Sequence, residues 1–217
     1  RKPNIILILI TDGGDPHAAY RIAACLQKKY TRFIITVPGY CKSAGGIVAI
    51  GAHEIVIFDN GELGPLDVQL AKQDELWQSA SGLNINAALD QLREETLKSI
   101  EHYLLPLTDR SGSRISTKTA LQISKDIVVG LYGRVYDQID PSYLGEVNRA
   151  LKIAIKYGEI LQKKSQNLKQ GALAKLATSY PDHGFVLDQE QIEELFEHVR
   201  GVTQLELELA QALGKAA

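Results

Sequence analysis

The sequence predicts an α/β protein built on a parallel sheet, and three observations carry that prediction. Apolar, β-branched runs recur in the first third of the chain, within Asn4–Thr11, Arg32–Val37 and His53–Asp59. They are continuous rather than alternating, as expected of parallel strands covered on both faces. Segments with helical spacing separate them, and alternation of strand and helix is the pattern of a parallel sheet. From Ala71 onward the pattern turns helical, so helices are expected over or beside that sheet.

Each element has its own warrant. The helix from His17 to Lys29 carries Ala19, Ile22, Ala23 and Leu26 on one face, with Tyr30 just beyond, and Asp15-Pro16 suits its cap and first turn. The second strand breaks at Pro38-Gly39, and Ser43–Ala52 reads as a short helix of small residues. Asn86–Leu105 places Leu89, Leu92, Leu97, Ile100 and Leu104 along one side; Ser116–Val129 is a further helix. Asp140-Pro141 opens another, running to about Leu168. Phe185-Val186-Leu187 reads as a short strand. Asp188 with Gln191 forms a capping box for the next helix, and Thr203 with Glu206 repeats the device for the last one. No internal repeat or low-complexity linker interrupts the chain. One domain of 217 residues is expected, with its core at about 1–70 and 180–200 and a helical segment at about 84–170.

Composition narrows the function classes. A formal net charge of -2 gives no basic excess for nucleic-acid binding. No apolar run reaches the roughly 20 residues that span a bilayer. Arg1–Asn4 followed by Ile5–Ile10 imitates a signal peptide, but the apolar part is short and ends in Thr11-Asp12-Gly13-Gly14 without a small-residue cleavage site. It is read as a core strand. Cys25 and Cys41 make neither a disulfide framework nor a metal site. Cys25 is expected as a small core residue; Cys41 is expected in the core too, with a reactive thiol as the alternative. A reducing, cytoplasmic compartment is expected. No G-x-G-x-x-G and no P-loop lysine are present, so no nucleotide cofactor is expected, and no metal.

Chemistry in open parallel sheets gathers beyond the carboxyl ends of the strands. Thr11–Asp15, Gly39–Ser43 and Asp59–Asp67 all leave strands at that edge. Ser43 stands at a strand-to-helix turn, where free N–H groups favour the negative charge that develops when a carbonyl is attacked. It is the candidate nucleophile; its other role would be to cap the helix. Gly45-Gly46, costly within a helix, suggests close backbone approach to a substrate or a tightly packed sheet. Gly13-Gly14 serves either as an ordinary tight turn or as N–H donors to an oxyanion. Among the histidines, His17 lies near this edge, His53 at the opposite one, and His102 and His198 on polar helix faces. His183 sits in a turn. Asp67 follows the rigid Gly64-Pro65 turn and is a candidate orienter of a histidine; Asp59 is better explained as a turn residue beside Asn60-Gly61.

The segments Lys42-Ser43-Ala44-Gly45, Gly51-Ala52-His53-Glu54-Ile55-Val56 and Glu62-Leu63-Gly64-Pro65-Leu66-Asp67-Val68-Gln69 resemble the serine dehydrogenase proteinase family. So do Gly133–Pro141 and Tyr180-Pro181-Asp182-His183-Gly184-Phe185. That family is distantly related to the Clp protease and signal-peptide peptidase A groups. The resemblance implies a Clp/crotonase-like parallel sheet with ββα-type units plus a helical segment. It implies a serine endopeptidase acting on a peptide or protein substrate through a triad of Ser43, Asp67 and His183. Gly13, Gly14 and Ala44 would supply the oxyanion N–H groups. A homo-oligomer is expected, as rings or smaller assemblies. Asp12 departs from the pattern, because relatives commonly have proline there. Relatives also begin with a strand and helix that have no counterpart here, so an upstream segment is expected. Two rivals stay open. One is a serine–lysine dyad of the signal-peptide peptidase type; its base would be Lys98 rather than the adjacent Lys42, which would tend to point away. The other is a non-catalytic peptide-binding scaffold on the same fold.

Overall fold

The computed structural model describes residues 2–66, 69–71, 79–110, 114–182 and 184–214. In chain order the elements are β1 (Lys2–Ile8), α1 (Pro16–Lys29), β2 (Tyr30–Val37), β3 (Tyr40–Cys41), α2 (Ala44–Ile50), β4 (Glu54–Ile57), β5 (Glu62–Leu63), β6 (Gln69–Ala71) and β7 (Ser79–Ser81). There follow α3 (Gly82–Arg110), α4 (Thr117–Tyr136), α5 (Pro141–Ser165), α6 (Ala172–Thr178), α7 (Gln189–Leu195), β8 (Val199–Gly201) and α8 (Gln204–Gly214). They form two compact units, one of 1–83 with 147–217 and one of 84–146.

The first unit is organised by an all-parallel sheet in the order β1-β2-β4-β8. Phe33–Val37 of β2 and all of β4 are buried, which is the consequence of continuous apolar runs with helices on both faces. Phe33, Ile35, Ile55 and Ile57 meet Ile47 and Ile50 of α2, Leu161 of α5 and Leu176 of α6 in one core. Gly51 allows α2 to end against α1, since a Cβ there would lie 2.8 Å from that of Ala23. The short α2 leaves carbonyls without partners at its end, and buried side chains take them up. Gln27 donates to Gly51 O (2.8 Å) and Ser165 donates to Ile50 O (2.7 Å). The helix that follows Ser43 is thereby fixed at its far end.

The opposite edge of the sheet is charged. Glu54, at the start of β4, pairs with Arg32 and with Arg200 of β8 (2.6 Å to Nε). Arg200 also grips Glu206 through both terminal nitrogens, at 2.7 and 2.8 Å. These bonds hold the Glu206 carboxyl at about 2, well below its ordinary 4.5. Both expected capping devices form: Asp188 and Gln191 exchange bonds at the head of α7, and Thr203 and Glu206 do so before α8.

In the second unit α3 and α4 are joined by Ser99 Oγ and Tyr132 OH at 3.0 Å. Ala120, Ser124 and Val128 form the buried stripe of α4 at helical spacing. α3 runs through Pro106, five residues past its expected end at Leu105. The Thr108 hydroxyl donates to the carbonyls of Leu104 and Leu105 in that turn (3.2 and 2.8 Å). Among the described residues no helix is long and apolar enough to cross a membrane.

Three expectations are corrected. Phe185–Leu187 is not a strand but contributes a single bridge, Leu187 to Leu63, because the chain turns into the α7 cap immediately afterwards. His198 is not on a helix: α7 ends at Leu195, and His198 is exposed at the entry to β8. Cys25 is exposed rather than in the core, since α1 buries Ala19, Ala23 and Gln27 instead.

Candidate active site

A backbone ladder beyond the carboxyl ends of the strands joins the segments that the sequence placed there. Thr11 bridges Cys41: its N–H donates to Tyr40 O (2.9 Å), and its carbonyl accepts from Lys42 N–H (2.9 Å). β3 pairs with β5 in parallel, with Glu62 N–H on Gly39 O (2.9 Å) and Gly64 N–H on Cys41 O (3.2 Å). Leu63 and Leu187 then exchange two bonds of 3.0 Å. Four chain segments therefore lie side by side: the turn after β1, the approach to Ser43, the run towards Asp67, and the stretch at Leu187, four residues past His183 in the chain. Asp67 and His183 themselves lie outside the described residues.

Ser43 follows β3 and precedes α2 with φ 50° and ψ -115°. A residue with a Cβ is rarely found there; it costs about 1–3 kcal/mol and persists only where the surroundings over-determine it. They do. Gly45 N–H donates to Lys42 O (2.8 Å) and Gly46 N–H to Ser43 O (2.9 Å), closing a tight turn around the serine. The glycine pair is a packing device: a Cβ on Gly45 would stand 2.6 Å from Cys41 Sγ, and one on Gly46 3.3 Å from Leu66 Cδ2. The Ser43 side chain makes no capping bond to α2. A serine held in a strained strand-to-helix turn, and not used as a cap, has the backbone character of a nucleophile elbow, with Cys41 where that motif has its first glycine and Gly45 at the second.

Gly13 and Gly14 have φ of 131° and 133°, conformations that only glycine adopts readily. Gly13 lies directly against the serine, and a Cβ on it would come within 2.8 Å of Ser43 Cβ. Its N–H donates to Thr11 Oγ1 at 3.0 Å. Among the described residues, the N–H groups of Gly14 and Ala44 donate to no protein acceptor. Thr11 was not singled out by the sequence, because its role depends on a turn closing upon itself.

Lys98 belongs to the second unit, exposed on α3, with its ammonium 3.3 Å from Glu95 and 3.7 Å from Glu94. The hydrogen bond and charge of Glu95 raise its pKa. Burial pushes the Cys41 thiol up to about 12, so it is a core residue and not a thiolate at neutral pH. Asp59 is exposed in the turn closed by Gly61 N–H on Phe58 O (2.7 Å). His17 Nδ1 is 2.7 Å from Tyr157 OH, and His53 Nδ1 accepts from Phe33 N–H (3.1 Å) at the opposite edge. The rings of Tyr180 and Phe185 stand 5.0 Å apart, and Phe185 N–H donates to Asp182 O (3.4 Å). Leu66, next to Asp67, is buried and donates its N–H to Leu176 O (2.9 Å).

A serine with strained backbone thus lies against a glycine turn on a parallel α/β scaffold. The profile of ClpP-like SDH-type serine proteinases matches residues 1–138, and the chain belongs to that family. The parallel sheet with its helices fits the family's Clp/crotonase-like fold. The chain is similar to two uncharacterized proteins of Methanocaldococcus jannaschii. It is 34% identical to MJ1495 over 68 residues, covering 31% of this chain and 23% of that one. It is 39% identical to MJ0137 over 71 residues, covering 33% and 24%. The matched stretch thus spans about a quarter of each relative. No solved structure matches the chain.

Proposed function

We propose that this protein is a serine endopeptidase that cleaves peptide bonds through an acyl-enzyme at Ser43. His183 takes the Ser43 proton and later returns one to the leaving amine, while Asp67 holds the imidazole tautomer. The N–H groups of Gly14 and Ala44 receive the oxyanion; Gly13 shapes the space above the hydroxyl, its own N–H being engaged by Thr11. The observation that carries this reading is the backbone of Ser43, strained at φ 50° with its side chain not used as a cap. The ladder from Thr11 to Leu187 supports it, because it ties the turn before α7 to the serine's own strand. The substrate is a peptide or protein, and no cofactor or metal takes part. Exposed Leu121, Val129 and Leu131 on α4 support assembly into a homo-oligomer, and the compartment of action is the cytoplasm.

Hydrolysis of a broad peptide library by wild type and by Ser43→Ala, His183→Ala and Lys98→Ala tests the roles. The triad requires that Ser43→Ala and His183→Ala lose turnover by at least 1,000-fold and that Lys98→Ala keeps it, as for other triads. Loss with Lys98→Ala but not His183→Ala would establish the dyad instead. Peptide binding without cleavage by any of them would make the protein a scaffold.

A further inference from the structure

We infer that Lys42, the residue before the serine, is a positioning residue that clamps the turn bearing His183 to the serine turn; this rests on the reading of Ser43 above. A lysine here is almost entirely buried, at 9% exposure. Such burial is unusual for an ammonium unless it is paired. Its Nζ lies 2.6 Å from Glu62 Oε1, in a pair whose side chains are only 11% and 25% exposed. It also donates to Phe185 O at 3.4 Å, two residues beyond His183 in the chain. Lys42 therefore touches both segments it would need to register: β5, which leads to Asp67, and Phe185, just past the histidine in the chain.

The channel for this side chain is built into the fold. A Cβ on Gly64 would stand 2.7 Å from Lys42 Cδ and 3.2 Å from its Cα, so glycine at 64 leaves room for the stem. The backbone ladder already pins the far end of the turn at Leu187, and Lys42 adds a second tie nearer the histidine. With its ammonium turned to Glu62 and Phe185, Lys42 acts as a donor and a clamp, not as the base for the neighbouring serine. A base in a loop must stay within hydrogen-bond reach of the hydroxyl, and a misplacement of about 1 Å costs on the order of 100-fold in rate.

The test combines hydrogen exchange with labelling by a fluorophosphonate probe, on wild type, Lys42→Met, Lys42→Arg and Glu62→Gln. Lys42→Met and Glu62→Gln are expected to speed amide exchange in Phe185–Leu187 at least tenfold while Phe33–Val37 keeps its protection. Both should slow labelling of Ser43 at least tenfold, and Lys42→Arg should restore part of it. In a His183→Ala background, Lys42→Met should cost nothing more, because the lysine acts only through the histidine's turn. Glu62→Gln keeps the shape of its side chain and decides the matter if Lys42→Met does not fold. Unchanged exchange and unchanged labelling in a protein that labels normally would overturn the clamp alone. Wild-type protein that takes no label would instead overturn the Ser43 reading on which it rests.

Discussion

Gly13 and Ser43 are packed so closely that one added carbon on the glycine would sit 2.8 Å from the serine's Cβ and 3.2 Å from its hydroxyl oxygen. Gly13 also holds a φ of 131°, so an alanine there meets strain as well as a clash. Gly13→Ala should lower stability by about 1–3 kcal/mol. It should lower the rate of Ser43 acylation by roughly 100-fold, because a displaced serine is poorly aimed. Thermal melts and single-turnover labelling of the same variant measure the two effects separately.

The Arg200–Glu206 pair makes a pH prediction. The hydrogen bonds from Arg200 depress the Glu206 carboxyl from 4.5 to about 2, favouring the charged form in the folded state. Its stabilising contribution is therefore complete above about pH 4.5 and is lost as the pH falls towards 2. Glu206→Gln should be less stable at pH 7 by about 1–3 kcal/mol, the worth of hydrogen bonds to a charged group. Its stability should then fall less than that of wild type between pH 5 and pH 2, as read by urea unfolding.

The thiols are distinguishable. Cys25 is exposed, whereas Cys41 is buried with its pKa pushed up to about 12. A maleimide should modify one thiol per folded chain, at Cys25, and both after denaturation. Peptide mapping of the modified protein reads the site directly.

Gly130 lies within α4, and a Cβ there would meet nothing within 4 Å. Gly130→Ala should therefore stabilise the protein by about 0.5–1 kcal/mol through the glycine's backbone entropy alone. A shift in the urea midpoint at unchanged slope would show it.

The fold was legible where local chemistry decides it. Phe33–Val37 of β2 and the whole of β4 are buried, so their sequence alone marks them as central strands, and the capping boxes at Asp188 and Thr203 are read from residues three apart. β8 was missed because Val199-Arg200-Gly201 is too short and too polar to signal a strand; its place beside β4 comes from long-range pairing. Phe185–Leu187 erred in the other direction, since an apolar triplet says nothing about how many residues a partner can pair. At the site, residue type and topology brought Ser43 together with Gly13. The Thr11 hydroxyl on Gly13 N–H is a local contact over two residues, but the inverted backbone of the serine and the Lys42–Glu62 pair arise only when separate segments meet. No local spacing encodes them. Asp67 and His183, the two partners taken from the resemblance, remain the subject of the proposal.

The central claim is that Ser43 is an activated nucleophile, and covalent capture tests it most directly. Intact and tandem mass spectrometry after exposure to a fluorophosphonate should show one adduct per chain, located on Ser43, absent in Ser43→Ala and strongly slowed in His183→Ala. A folded wild-type protein that takes no adduct, or an adduct that survives Ser43→Ala, would contradict the account.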